Sequence, residues 1–236
     1  MDNLDFVRSK SLNTVPQRKL RNTIENIQQG SDTPENKATK LTAINRYAES
    51  NIPMGYWTLK MEKDFQGDPR LLTKYNEYTT DLKLSYDSAS SICFAGTHGV
   101  GKTMTITCIL KRATHKGYSC LYTTLSDIVN VLTQADSEGK FLARRELTMV
   151  DFLAIDEFDP RFVQHSDDAA DLFARSLEGI FRTRIQNRLP TLMASNSPNP
   201  IESFRGKLRD SIESLMKGYV DIFVVAPGKD FRKEKP

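Results

Sequence analysis

Residues 96–103 run Gly96-Thr97-His98-Gly99-Val100-Gly101-Lys102-Thr103 and fit the spacing G-x-x-x-x-G-K-[ST] at every fixed position. The apolar run SICFA (91–95) precedes them and a helical stretch follows. In that setting glycines let backbone N–H groups curl around phosphate oxygens, and the helix that follows turns its positive end towards them. All eight residues are candidates for holding a nucleotide. Lys102 would neutralise the β- and γ-phosphates, and Thr103 would ligate Mg2+.

A second apolar run, FLAID (152–156), ends in Asp156 and is followed by Glu157. A carboxylate at that strand end faces the phosphates and holds Mg2+ through water, which makes Asp156 a metal candidate beside Thr103. The carboxylate after it can accept a proton from an attacking water, as hydrolysis requires, so Glu157 is the candidate general base. GTPases usually lack that glutamate, and no guanine-reading NKxD occurs in the chain. ATP is the expected nucleotide. Asn196 closes a further run, TLMAS (191–195). There it can orient the lytic water or sense the γ-phosphate; equally, Asn before SPNP is good turn chemistry. His98 reads as a loop filler, and His115 and His165 receive no role.

These residues need strands to carry them. From residue 91 the chain alternates between strand candidates, SICFA (91–95), SCLYTT (119–124), FLAID (152–156), TLMAS (191–195) and DIFVVA (221–226), and helical stretches near 102–116, 126–147, 167–187 and 202–216. On the third helical stretch Ala169, Leu172, Phe173, Leu177, Ile180 and Phe181 share one face. Five strands separated by helices predict a parallel, three-layer α/β sheet.

Ahead of this core, residues 1–46 hold eight Lys/Arg against five Asp/Glu, a surplus that equals the +3 of the whole 236-residue chain. A basic arm suits nucleic acid or an acidic partner, or is simply solvated. Within it, 16–30 places Leu20, Ile24 and Ile27 at helical spacing, and 35–50 repeats the pattern through Leu41, Ile44 and Tyr47, with the loop GSDTPEN between. Helices this narrow cannot build a core; they must pack on the main domain or on another protein. The connector SNIPMGYWTLK (50–60) carries the only tryptophan. Its aromatics either line an adenine pocket or pack the linker onto the core. The expected division is an arm at 1–46 and a catalytic core at 47–236.

Cys93, Cys108 and Cys120 form no CxxC pair, which argues against a disulfide framework and a zinc site. Reduced thiols fit a cytoplasmic protein, and no apolar run approaches a membrane span. No membrane partner is expected.

Three stretches extend the pattern: YAESNIPMGYW (47–57) ahead of the phosphate loop, RTRIQNRLPTLMASN (182–196), and LRDSIESLMKGYVDIFVV (208–225). With them the chain resembles the AAA+ ATPases. More narrowly, it resembles the DnaC/DnaI-type replicative helicase loaders and their IstB-like transposition relatives, over about residues 47–236. The resemblance implies a P-loop AAA+ (ASCE) core with a five-stranded parallel sheet, a short helical N-terminal extension, and Mg2+-dependent ATP hydrolysis. No C-terminal helical lid is expected, since the chain stops about ten residues after its last strand. That compactness would suit a phage-encoded member.

The same resemblance implies a homo-oligomer, ring or open spiral, in which a neighbour supplies an arginine to the γ-phosphate. Loaders usually read D-R-[ML] at that helix; this chain departs from the pattern with Arg209 before Asp210. Arg209 is the first candidate and Arg205 the reserve. The implied partners are a replicative DNA helicase, gripped by the amphipathic stretch 16–28, and single-stranded DNA. For the DNA, GKFLARRELT (139–148) offers Lys140, Arg144 and Arg145 beside Phe141, or is a solvated helix face. The alternatives are an IstB-like regulator of a transposase and another DNA-linked AAA+ ATPase. A metabolic kinase would gain nothing from Glu157 as a water-activating base.

Overall fold

The computed structural model describes residues 15–159, 167–200 and 206–231. Its strands are β1 (Ser91–Gly96), β2 (Cys120–Thr124), β3 (Phe152–Asp156), β4 (Thr191–Ser195) and β5 (Val220–Ala226). They form a five-stranded parallel sheet in the order β2-β3-β4-β1-β5. The near-continuous apolar runs are those of strands covered on both faces. Cys93, Leu153, Ile155 and Met193 enter one apolar layer, while Ile92, Phe94, Ala154 and Leu192, one residue out of phase, enter the other.

The first layer is closed by α7 (Leu125–Gln134), α8 (Ser137–Met149), α9 (Asp167–Gln186) and α10 (Gly206–Tyr219). The second is closed by α4 (Pro69–Thr80) and α6 (Lys102–His115), with the connector beside them. This is the expected three-layer α/β fold around a five-stranded parallel sheet, with the glycine-rich loop between β1 and α6. Of the face read on α9, Leu177, Ile180 and Phe181 are buried; the side chains of Ala169, Leu172 and Phe173 lie outside the described ones.

Two expectations need correction. The single helix expected over 126–147 is two, because Ala135 and Asp136 adopt extended backbone and Asp136 caps α8 by accepting the Gly139 N–H at 2.8 Å. The last helix, described over Gly206–Tyr219, ends three residues beyond the expected 216, and the expected start at 202 lies outside the described residues. Residues 61–87, left unassigned by periodicity, form α3 (Met61–Asp64), α4 and α5 (Leu82–Asp87). Their local signals are caps: Asp68 accepts the Arg70 N–H ahead of Pro69, and Asp81 accepts the Leu84 N–H.

The arm forms α1 (Gln17–Gln29) and α2 (Pro34–Glu49), which pack on each other, and α2 packs on α6. Leu20, Ala43 and Ile44 lie against the second apolar layer, so part of the α1 face is spent on the core. Residue 46 falls inside α2. There Arg46 donates to the Thr114 carbonyl at 3.2 Å, and the Tyr47 hydroxyl shares a 2.7 Å hydrogen bond with His115 Nε2.

At the starts of the strands Arg184 is fully buried. It donates to the carbonyls of Leu147, Val150, Asp151 and Pro190 and to Thr191 Oγ1. One guanidinium thereby ties the end of α8 to the starts of β3 and β4, the strands that carry Asp156 and Asn196.

Candidate nucleotide site

β1 leads into the glycine-rich loop under tight steric limits. Gly96 has φ 144°, and a Cβ there would stand 2.1 Å from the Ala226 carbonyl oxygen of β5. Gly99 has φ 74°, and its Cβ would stand 1.7 Å from the Asp230 carboxylate. Gly96 requires glycine for conformation and for space, since it faces backbone, and Gly99 for its conformation. The tail after β5 lies against the loop: Thr97 Oγ1 donates to the Gly228 carbonyl at 2.5 Å, and the Phe231 N–H donates to the Gly99 carbonyl at 3.1 Å. Lys102 and Thr103 open α6. The Lys102 side chain is buried and its Nζ donates to the carbonyls of Gly96 (3.0 Å) and Thr97 (2.7 Å).

β3 delivers the carboxylates. Asp156 is buried; its Oδ2 accepts the Tyr122 hydroxyl at 2.8 Å and its Oδ1 accepts the Glu157 N–H at 2.8 Å. Burial, with the Asp156 carboxylate next in effect, pushes the Tyr122 hydroxyl far above its ordinary range, so it stays a donor. Glu157 has φ 49°, a left-handed conformation costing about 1–3 kcal/mol in a non-glycine residue. The flanking contacts hold it there: the buried Phe158 donates its N–H to the Ala194 carbonyl of β4 at 2.8 Å, and the Asp159 N–H reaches the Glu157 carbonyl at 2.6 Å. The bend leaves the Glu157 side chain exposed on the cleft.

The cleft holds about 360 Å³ and gathers His98, Gly99, Gly101, Lys102, Thr103, Asp156, Glu157 and Asn196 from three strand ends. Gly96, Thr97 and Val100 stand behind it: Gly96 against β5, Thr97 towards the tail, and Val100 in the core with its carbonyl accepting the Asp68 N–H at 3.0 Å. Arg209 is exposed on α10 and does not line this chain's own cleft. Its neighbour Glu213 is engaged by Lys217 Nζ at 2.7 Å, the main cause of that carboxyl's lowered pKa. Arg205 lies outside the described residues.

Thr103 and Asp156 present a hydroxyl and a carboxylate to one cleft. Hard oxygen donors in this number suit Mg2+, which completes its six positions with water and phosphate oxygens.

Sequence reasoning missed Asp64, Gln66, Met104 and Phe231 in the cleft wall, and Tyr122 behind it. The two readings of the connector divide between neighbours. Tyr56 lines the cleft, whereas Trp57 is buried and donates Nε1–H to the Ile52 carbonyl at 2.8 Å. On α8, Phe141 is 65% exposed with Arg144 and Arg145 exposed beside it. Among the described residues no helix is long and apolar enough to cross a membrane.

The family described as IstB-like ATP binding protein matches residues 66–186, just over half of the 236-residue chain. A comparison with the curated proteins finds no match. Among solved structures the fold is similar to AMPPCP-bound DnaA from Aquifex aeolicus, with TM-score 0.56 and 20% identity, covering 76% of this chain and 52% of that one. It is also similar to DnaI, with TM-score 0.60 and 17% identity over 76% of this chain and 94% of that one. Domain III of the Thermotoga maritima initiator DnaA follows, with TM-score 0.55 and 18% identity over 75% and 70%. The chain thus spans about half the length of the first of these structures.

Proposed function

We propose that this chain, which belongs to the IstB-like ATP-binding proteins and is an ATPase on the AAA+ fold, loads a replicative DNA helicase onto single-stranded DNA. In this reading the backbone N–H groups of the loop hold the triphosphate, and Lys102 leaves the carbonyls of Gly96 and Thr97 for phosphate oxygens. Glu157 takes the proton of the attacking water, and Asn196 orients that water. Mg2+ neutralises triphosphate charge when bound, and Thr103 and Asp156 would hold it. Arg209 of one subunit meets the γ-phosphate of the next. Such a head-to-tail contact builds a ring or an open spiral.

The observation that carries the loader reading is the course of α6. The helix begins with Lys102 and Thr103 in the nucleotide cleft and ends at His115, where Arg46 of the arm reaches the Thr114 carbonyl and the adjoining Tyr47 of α2 bonds His115. A rigid helix with the phosphate loop at one end and a docked hairpin at the other suits an arm whose grip follows nucleotide state. Arg18, Lys19 and Arg21 are exposed on α1 and offer the client a basic row. Lys140, Phe141, Arg144 and Arg145 on α8 would track the DNA backbone. The working compartment is the cytoplasm.

Charge reversal tests the arm better than deletion, because removing 1–46 would uncover α6. The full chain with ATP should retain a replicative helicase in a pull-down, and Arg18→Glu combined with Arg21→Glu should lose it. Retention by the variant would move the grip elsewhere. Capture of a transposase in place of the helicase would favour the second reading, a transposition regulator, which the family description supports.

A further inference from the structure

β2 is an outermost strand of the sheet, and its free edge is covered by the two residues that follow α2. The Tyr122 N–H donates to the Ser50 carbonyl at 2.8 Å, and the Tyr122 carbonyl accepts Asn51 Nδ2–H at 2.9 Å. Ser50 and Asn51 are both buried, and Asn51 adopts φ 54°, a left-handed conformation asparagine tolerates. Both backbone groups of one residue are therefore held by the junction of the N-terminal hairpin with the core.

The side chain of the same residue points the other way. Tyr122 pairs in register with Ala154, and its hydroxyl reaches diagonally to Asp156, two residues further along β3. Asp156 is thus gripped twice, by the Tyr122 hydroxyl on Oδ2 and by the Glu157 N–H on Oδ1. The two donors fix the rotation of the carboxylate while leaving lone pairs on both oxygens. We infer that Tyr122 is a positioning residue for the Asp156 carboxylate and couples its posture to Ser50 and Asn51, where the hairpin joins the core. A shift of this junction moves the edge of β2, and the hydroxyl moves with it. The inference rests on the reading of Thr103 and Asp156 as the groups that hold Mg2+.

The test is equilibrium binding of a fluorescent ATP analogue to the full chain, in EDTA and along a Mg2+ titration. Tyr122→Phe keeps the ring and removes the hydroxyl. Binding in EDTA should stay at the parent value, while the Mg2+ midpoint should rise about tenfold or more, as for other groups that orient a metal-binding carboxylate. Asn51→Gly keeps the left-handed backbone and removes the amide. It should shift the midpoint the same way by less, and add nothing in the Tyr122→Phe background. A merely structural tyrosine would weaken binding in EDTA and lower the unfolding temperature without moving the midpoint. A parent-like midpoint in Tyr122→Phe overturns the positioning role. An Asn51→Gly shift of equal size in both backgrounds overturns the coupling. Asp156→Asn separates the premise: if it keeps the parent's Mg2+ response, the reading of the metal site fails rather than the role of Tyr122.

Discussion

The Lys102 ammonium stands 2.7 Å from the carbonyl oxygen of Thr97 and 3.0 Å from that of Gly96, so the cation of the phosphate loop is held by the loop's own backbone. A triphosphate has to win this ammonium from two carbonyls, and charge-assisted bonds to phosphate are the stronger ones. Lys102→Ala removes the cation and should weaken ATP binding by about 10- to 100-fold. A given ATP concentration should then raise the unfolding temperature less than in the parent, because stabilisation by a ligand grows with the ratio of its concentration to Kd. Thermal unfolding with and without ATP checks both statements.

The docking of the arm should respond to pH through His115. Burial, then Arg46 and Lys111, hold its pKa below the ordinary 6.5. The unfolded chain therefore binds this proton more readily than the folded one. The stability that His115 contributes is fully present above pH 6.5 and is lost as the pH falls from there through the lower, folded value. Trp57 is the only tryptophan and its ring lies 6.3 Å from that of Tyr47. Its emission should change as the pH drops from about 7 to about 5, and His115→Gln should flatten the response.

Completion of the site by a neighbour is tested by mixing. Arg209 is exposed and away from its own cleft. Arg209→Ala should leave ATP binding intact and lower hydrolysis by up to about 10³-fold or more. Mixed with Glu157→Gln subunits it should recover part of the activity, since one interface then joins an intact base to an intact arginine. No recovery at any ratio, with assembly confirmed, would remove Arg209 from the role.

The parts of the site legible in the sequence are those whose chemistry is local. Glycines at positive φ, a lysine and threonine opening a helix, and a carboxylate pair ending an apolar run are set by neighbours in the chain. The five strands were legible for the same reason, since strands buried on both faces read as short apolar runs. Tyr122 was not, because it matters only through a partner 34 residues away that the sheet register supplies. Phe231 and Asp230 reach the loop only after β5 has paired with β1. The helices over 61–87 were missed because they are short and their starts are marked by caps rather than by periodicity. Leu20 reads as part of a grip on a partner, yet it lies against this chain's own core, since amphipathicity states that a face is covered and not by what.

The central claim is that this cleft hydrolyses ATP with Glu157 as the base, and Glu157→Gln tests it most directly. An amide of the same shape cannot accept a proton, and the exposed side chain contributes little to the fold. ATP binding, measured with a fluorescent analogue, should match the parent. ATP hydrolysis, measured as phosphate release with single-stranded DNA present, should fall by about 10²- to 10⁴-fold. A variant that binds ATP and releases phosphate at the parent rate would contradict the account.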